Sequence, residues 1–176
     1  NDHKYVEPLL ESRRKSAKII VKLKQDKIMK HVCILKKFSD TIRTLQIENY
    51  AFDTIDQFRI ILRFLGNLKA LNVSHVTFLK PENKILNSIV RVPKLSLKEL
   101  REFSCVDSDP TIFTLFENNF DIQFRKIRLK IGDTLASTTA QIVDVMSNQG
   151  KLRNFSLDGV TADNCDIFNY DNFMQC

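Results

Sequence analysis

Two stretches of this chain align without a gap. Gly66-Asn67-Leu68-Lys69-Ala70-Leu71-Asn72-Val73-Ser74-His75-Val76-Thr77 and Gly150-Lys151-Leu152-Arg153-Asn154-Phe155-Ser156-Leu157-Asp158-Gly159-Val160-Thr161 lie 84 residues apart, three units of 28. Such self-similarity constrains the fold more than any local propensity, because each unit buries its apolar side only against its neighbours. A spacing of apolar-x-x-apolar-x-apolar recurs through the chain as Ile42-Leu45-Ile47, Leu68-Leu71-Val73, Leu100-Phe103-Cys105, Phe124-Ile127-Leu129 and Leu152-Phe155-Leu157. A weaker copy, lacking its first apolar position, is read at Val21-Leu23, so the middle residues fall at 21, 45, 71, 103, 127 and 155.

The last two apolar positions of each copy alternate, as a strand buried on one face requires. Between copies the period lengthens to the helical one. Ile55, Phe58, Ile61, Leu62 and Leu65 form such a stripe, with Thr54 and Gln57 as a capping box and Gly66 placed to close the helix in a left-handed conformation. Ile28, Val32, Leu35 and Phe38 form a second. Asp109-Pro110 opens a third, with Ile112, Leu115 and Phe116 facing inward. Leu135, Ile142, Val143 and Met146 mark a fourth, ending near Gly150, and Pro81 with Ile85, Leu86 and Ile89 a fifth. The expected fold is α/β: a leucine-rich-repeat solenoid, a ribonuclease-inhibitor-like horseshoe arc with parallel strands on the concave face and helices on the convex face. Residues 1–16 read as an N-terminal linker or capping segment, 17–162 as five to six repeats, and 163–176 as a partial repeat or truncated end. The apolar residues offered as caps are Tyr5, Val6, Leu9 and Leu10 at one end and Ile167, Phe168, Tyr170 and Phe173 at the other. They are few, as in a chain cut from something longer.

The sequence offers no catalytic constellation. GxSxG is absent, and four glycines form neither a P-loop nor GxGxxG. His3, His31 and His75 are far apart, and Cys33, Cys105, Cys165 and Cys176 lack the paired spacing of a zinc site. The chain is therefore read as a non-enzyme without metal or cofactor, its cysteines as buried free thiols of a reducing compartment. The sequons at Asn72 and Asn154 lie inside predicted strands and carry little weight against that reading. No apolar run approaches the length of a membrane span. The net charge of +6 is uneven: residues 13–37 hold ten Lys and Arg against Asp26 alone. That stretch suits phosphate or an acidic partner, but no aromatics interleave with its lysines as a single-strand binder would want.

The residues flanking each buried strand pair should form an exposed polar face suited to a protein or peptide. The candidate partner-binding residues are Lys22, Lys24, Gln46, Glu48, Asn72, Ser74, Ser104, Arg128, Lys130, Ser156 and Asp158, with Arg128 and Lys130 as positive anchors.

Glu11-Ser12-Arg13-Arg14, a basic strand ending Val21-Lys22-Leu23, a helix ending Leu35-Lys36-Lys37-Phe38-Ser39-Asp40, and then Thr41-Ile42-Arg43-Thr44-Leu45-Gln46-Ile47 follow one another in this chain. This order resembles the repeat region of F-box/leucine-rich-repeat proteins, particularly insect-type ones. Leu65–Ser74 is similar to their later repeats, and the likeness spans about residues 11 to 162. It implies the substrate-binding region of a cullin-RING ubiquitin ligase receptor, with a cytoplasmic or nuclear location and a monomeric state. No LPxE-type opening and no Trp precede the first repeat, so the ligase adaptor would be engaged only through an F-box absent from this chain. A stand-alone leucine-rich-repeat scaffold or inhibitor is the alternative, and a basic nucleic-acid-associated module the less favoured third.

Overall fold

A computed structural model describes residues 17–21, 28–80, 95–116, 121–130, 142, 145–147 and 149–159. Six strands follow one another in a single sheet: β1 (Ala17–Val21), β2 (Ile42–Phe52), β3 (Ala70–Phe78), β4 (Glu102–Val106), β5 (Lys126–Lys130) and β6 (Asn154–Asp158). Each pairs in parallel with the next, so the spatial order is the sequence order. Helix α1 (Ile28–Lys37) joins β1 to β2, α2 (Ile55–Arg63) joins β2 to β3, and a 3-10 helix, Pro110–Leu115, lies between β4 and β5.

The pairing is set by the repeat. Leu45, Leu71, Phe103, Ile127 and Phe155 stand opposite one another across five strands, as do Ile47, Val73, Cys105, Leu129 and Leu157. A slip of one residue would turn every apolar side chain to water, so one-sided burial fixes the register. The first apolar positions, Ile42, Leu68, Leu100 and Phe124, are fully buried beneath the starts of their strands. Strands and helices share one continuous core. It holds two aromatic knots: Phe52 stacks on Phe58 at 5.1 Å between ring centroids, and Phe116 meets Phe103 and Phe124 edge-on at 4.8 and 5.2 Å.

The first repeat departs from expectation. Ile19 pairs with Leu45 and Val21 with Ile47, so the copy is Ile19-Val21 and not Val21-Leu23. Both pairs alternate, but the earlier one gives two β-branched residues, which suit a strand better. Its first position falls on Ser16. Lys22 and Lys24 lie outside the described residues, as do the two terminal segments, the caps and the stripe from Pro81 to Ile89.

Strands β2 and β3 also run longer than expected. His75, two residues past the buried pair Leu71-Val73, lies within β3. Asn49 (φ 50°), His75 (φ 51°), Asp107 (φ 42°) and Gly159 (φ 93°) share one repeat position, two residues beyond the second buried strand residue, and all are left-handed. Asn, Asp, His and Gly tolerate that conformation better than branched residues do. After this kink β2 and β3 pair again, Tyr50 with Val76 and Phe52 with Phe78. At β4 the ladder ends at Val106, and beyond it the Asp109 N–H still donates to Val76 O (2.8 Å). Side chains take over there: the Val76 N–H donates to Ser108 Oγ (3.1 Å) and the Phe78 N–H to Asp109 Oδ2 (3.4 Å). Asp109 Oδ1 also accepts from the Thr111 N–H at 2.9 Å, capping the 3-10 helix.

The helix stripes mostly hold. Ile55, Phe58, Ile61, Leu62, Leu65, Ile112, Leu115 and Phe116 are buried, and so is Ile142. The expected capping box does not form. Thr54 makes no side-chain cap bond; Gln57 reaches back to Asp53 instead, accepting from its N–H at 3.0 Å and donating to its carboxylate at 2.9 Å. Gly66 is not left-handed, since α2 closes through bonds from Phe64 N–H to Ile61 O and Leu65 N–H to Leu62 O. Phe38 is 45% exposed, lying just past the end of α1 with the Lys37 ammonium over its ring. Cys33 is exposed rather than buried.

Two substitutions in one strand test the inside-outside assignment. Leu71→Ala should cost about 2–5 kcal/mol as a buried truncation, whereas Asn72→Ala should stay within about 0.5 kcal/mol. Equal shifts of the two urea midpoints contradict the register. A second pair tests the kink: Asn49→Val should lower stability by about 1–2 kcal/mol and Asn49→Gly should leave it nearly unchanged, again by denaturant melts.

Candidate functional site

Parallel pairing lines up residues of equal repeat position in rows across the exposed side of the sheet. One row reads Thr44, Ala70, Glu102, Lys126, Asn154; the next Gln46, Asn72, Ser104, Arg128, Ser156; the third Glu48, Ser74, Val106, Lys130, Asp158. Side-chain length varies along each row. Asn72, Ser74 and Ser104 are short, while Gln46 and Glu48 on one side and Lys126 and Arg128 on the other are long. The result is a cavity of about 470 Å³ over β2 to β5, floored by the short residues and walled by the long ones.

Six of the expected residues meet in this cavity: Gln46, Glu48, Asn72, Ser74, Ser104 and Arg128. Lys130, Ser156 and Asp158 share the face but lie outside its lining. Glu102, Val106 and Lys126 line it too, and were passed over as candidates although they sit in the same rows. Their signal was available: each flanks a buried strand residue in its own copy of the motif.

The charges are not free point anchors. Arg128 Nη2 lies 3.6 Å from Asp158 Oδ2 and Lys130 Nζ 3.3 Å from Asp107 Oδ2; Arg128, Asp158 and Lys130 are about half exposed and Asp107 is 28% exposed. Exposed pairs contribute at most about 1 kcal/mol, so a ligand carboxylate can displace them at small cost. On the opposite wall the Gln46 amide donates to the Glu48 carboxylate, which orients it within the cavity. The wall from β2 thus carries the Glu48 carboxylate and the wall from β5 the Lys126 and Arg128 cations, while β3 and β4 between them offer Asn72, Ser74, Ser104, Val106 and a second carboxylate, Glu102. Such a cavity presents groups of both charge signs within one enclosure. Among the described residues no group of three His, Cys, Asp or Glu is placed to hold a metal ion, and no helix is long and apolar enough to cross a membrane.

Cys105 lies beneath this floor. Burial pushes its thiol up to about 12, the Ser108 side chain opposes the shift through a hydrogen bond, and the Asp107 and Asp109 carboxylates add to it. It points into the core and cannot act on a ligand in the cavity. Comparison of the chain with protein-family models, with curated proteins and with solved structures finds no match.

The thiol gives a pH test of the register. In the unfolded chain it ionises near its ordinary value of 9.0; in the folded chain it keeps its proton to about 12. Above pH 9 the unfolded state therefore binds fewer protons, and stability falls as pH rises. At pH 10 the parent should have lost on the order of 1 kcal/mol relative to a Cys105→Ala variant. Urea midpoints that track together from pH 8 to 10 place the thiol at the surface.

Proposed function

We propose that this chain is a non-enzymatic protein-recognition module, a leucine-rich-repeat solenoid whose exposed sheet face captures a protein or peptide segment. The observation that supports it most is the cavity over β2 to β5, with short polar residues on its floor and walls of opposite charge. Repeat architectures present such broad faces as binding surfaces. The sequential, wholly parallel sheet and the one-sided core are what such an arc needs. The resemblance of residues 11–162 to F-box/leucine-rich-repeat proteins extends the proposal. The captured protein would be the substrate of a cullin-RING ubiquitin ligase, and the adaptor would dock on an F-box outside this chain.

Filling the cavity tests the surface. With the chain as bait, Ser104→Arg and Asn72→Arg should lower recovery of its partner at least about ten-fold, equivalent to roughly 1.4 kcal/mol. Lys37→Glu and Arg63→Glu, exposed on the helical side, should leave recovery intact. A partner lost only with the helical-side variants moves the binding surface there. Turnover tests the extension: the partner should accumulate when the ligase or the proteasome is inhibited, whereas constant levels indicate a scaffold or inhibitor.

A further inference from the structure

One row of side chains lies outside the cavity. Directly after the first apolar residue of the last five repeats stands a basic residue: Arg43, Lys69, Arg101, Arg125 and Arg153. Their backbones are hydrogen-bonded in series. Lys69 N–H donates to Arg43 O (2.7 Å), Arg101 N–H to Lys69 O (2.9 Å), Arg125 N–H to Arg101 O (2.7 Å) and Arg153 N–H to Arg125 O (3.0 Å). The five cations therefore stand on consecutive strands at one edge of the sheet, in a row about 19 Å long at the usual strand spacing.

Among the described residues no ion pair neutralises them. The described ion pairs join Arg59 to Asp56, Arg128 to Asp158 and Lys130 to Asp107; none involves the row. Lys69, Arg125 and Arg153 are exposed. Arg43 and Arg101 are half-buried and held by backbone carbonyls, Arg43 by Asn67 O at 3.4 Å and Arg101 by Lys98 O at 2.6 Å and Leu100 O at 3.2 Å. Those bonds orient two guanidiniums and leave further N–H donors on each. Like charges on adjacent strands repel, so the row is unfavourable alone and is relieved by an anionic ligand laid along it.

We propose that this row docks an extended acidic polypeptide segment, running across the strand starts beside the cavity. The length fits: an extended chain advances about 3.3 Å per residue, so about six residues span the row. Alternate Asp or Glu side chains then fall roughly 6.6 Å apart, within reach of long basic side chains on neighbouring strands. Arg, at four of the five positions, grips carboxylates through paired donors. A nucleic-acid strand would want aromatic rings beside the cations on which to stack its bases. The adjoining row offers Thr44, Ala70, Glu102, Lys126 and Asn154 instead. The inference rests on the exposed sheet face as a binding surface, and places the acidic part of the bound segment.

The test uses a fluorescein-labelled hexaglutamate peptide and fluorescence anisotropy at low and moderate salt. The triple variant Lys69→Glu/Arg125→Glu/Arg153→Glu should bind it at least about ten-fold more weakly than the parent. A control triple, Lys36→Glu/Lys37→Glu/Arg63→Glu, changes the net charge equally on the helical side and should alter binding less than about two-fold. Equal losses in both triples overturn the proposal, since net charge alone then explains the binding. So does binding unchanged by the row reversal, or a parent that does not bind the peptide at low salt. Should the reversal unfold the chain, Lys69→Gln/Arg125→Gln/Arg153→Gln serves in its place with the same expectation. Hexauridylate is the competing probe: if it binds the parent more tightly than hexaglutamate and is lost with the row, the occupant is nucleic acid and the proposal fails. An Asn72→Arg variant that loses its captured partner but keeps hexaglutamate separates this row from the cavity.

Discussion

The backbone bonds that link one strand start to the next set the frame for the other rows. At the starts of β4, β5 and β6, the N–H groups of the two positions after the first apolar residue reach back to the preceding repeat. Arg101 and Glu102 both donate to Lys69 O, Arg125 and Lys126 both to Arg101 O, and Arg153 and Asn154 both to Arg125 O. This shared acceptor fixes where β4, β5 and β6 begin relative to their neighbours. Everything downstream then falls into rows: the two buried positions, the polar positions between them and the left-handed kink. The bond itself is worth little net free energy. Its importance is geometric, and the apolar residue beneath each strand start, fully buried in four copies, holds the chain there.

Much of this frame could be read from the sequence, because the buried pairs are strongly apolar and recur. Five of the six copies fall in register as read, and the exposed rows follow by alternation alone. The first copy misled because Ile19, Val21 and Leu23 alternate without a break, so two registers two residues apart fit the apolar pattern, and pairing with β2 selects the more β-branched one. The helix ends misled for a different reason. Thr54 and Gln57 have the right types for a capping box, but Asp53 competes for the same glutamine and wins, with both amide groups satisfied. The continuation of β2 and β3 past Asn49 and His75 depends on pairing between repeats, which no window of one repeat contains.

The candidate site was legible in part for the same reason. Which residues face outward follows from period two, and Gln46, Asn72, Ser104 and Arg128 fell into one row as expected. Which of them enclose a cavity depends on side-chain lengths along the row, and that is a property of four strands at once. Arg128 and Lys130 looked like free anchors because their neighbours in sequence are apolar; Asp158 and Asp107, which meet them, come from adjacent strands. Cross-strand partners are close in space and distant in sequence, so a single-strand reading overstates how unpaired a charge is.

Parallel order also gives the sheet a charge polarity that an antiparallel sheet of the same residues would lack. With alternating strand directions, residues at one repeat position would be dealt to both edges in turn. Here they collect on one. The strand starts gather Arg43, Lys69, Arg101, Arg125 and Arg153, while Asp53, Asp107, Asp109 and Asp158 lie at or beyond the strand ends. A single residue choice, repeated once per unit, thus becomes a field over one whole edge. That field opposes folding, since it concentrates like charge. The packed side offsets it: five in-register apolar pairs and two aromatic knots make up the core behind the strands. The separation of tasks between the two sides of the sheet is what lets the chain hold a surface that is unfavourable in isolation. That same separation lets the charge row and the cavity floor change by substitution without disturbing the core that positions them.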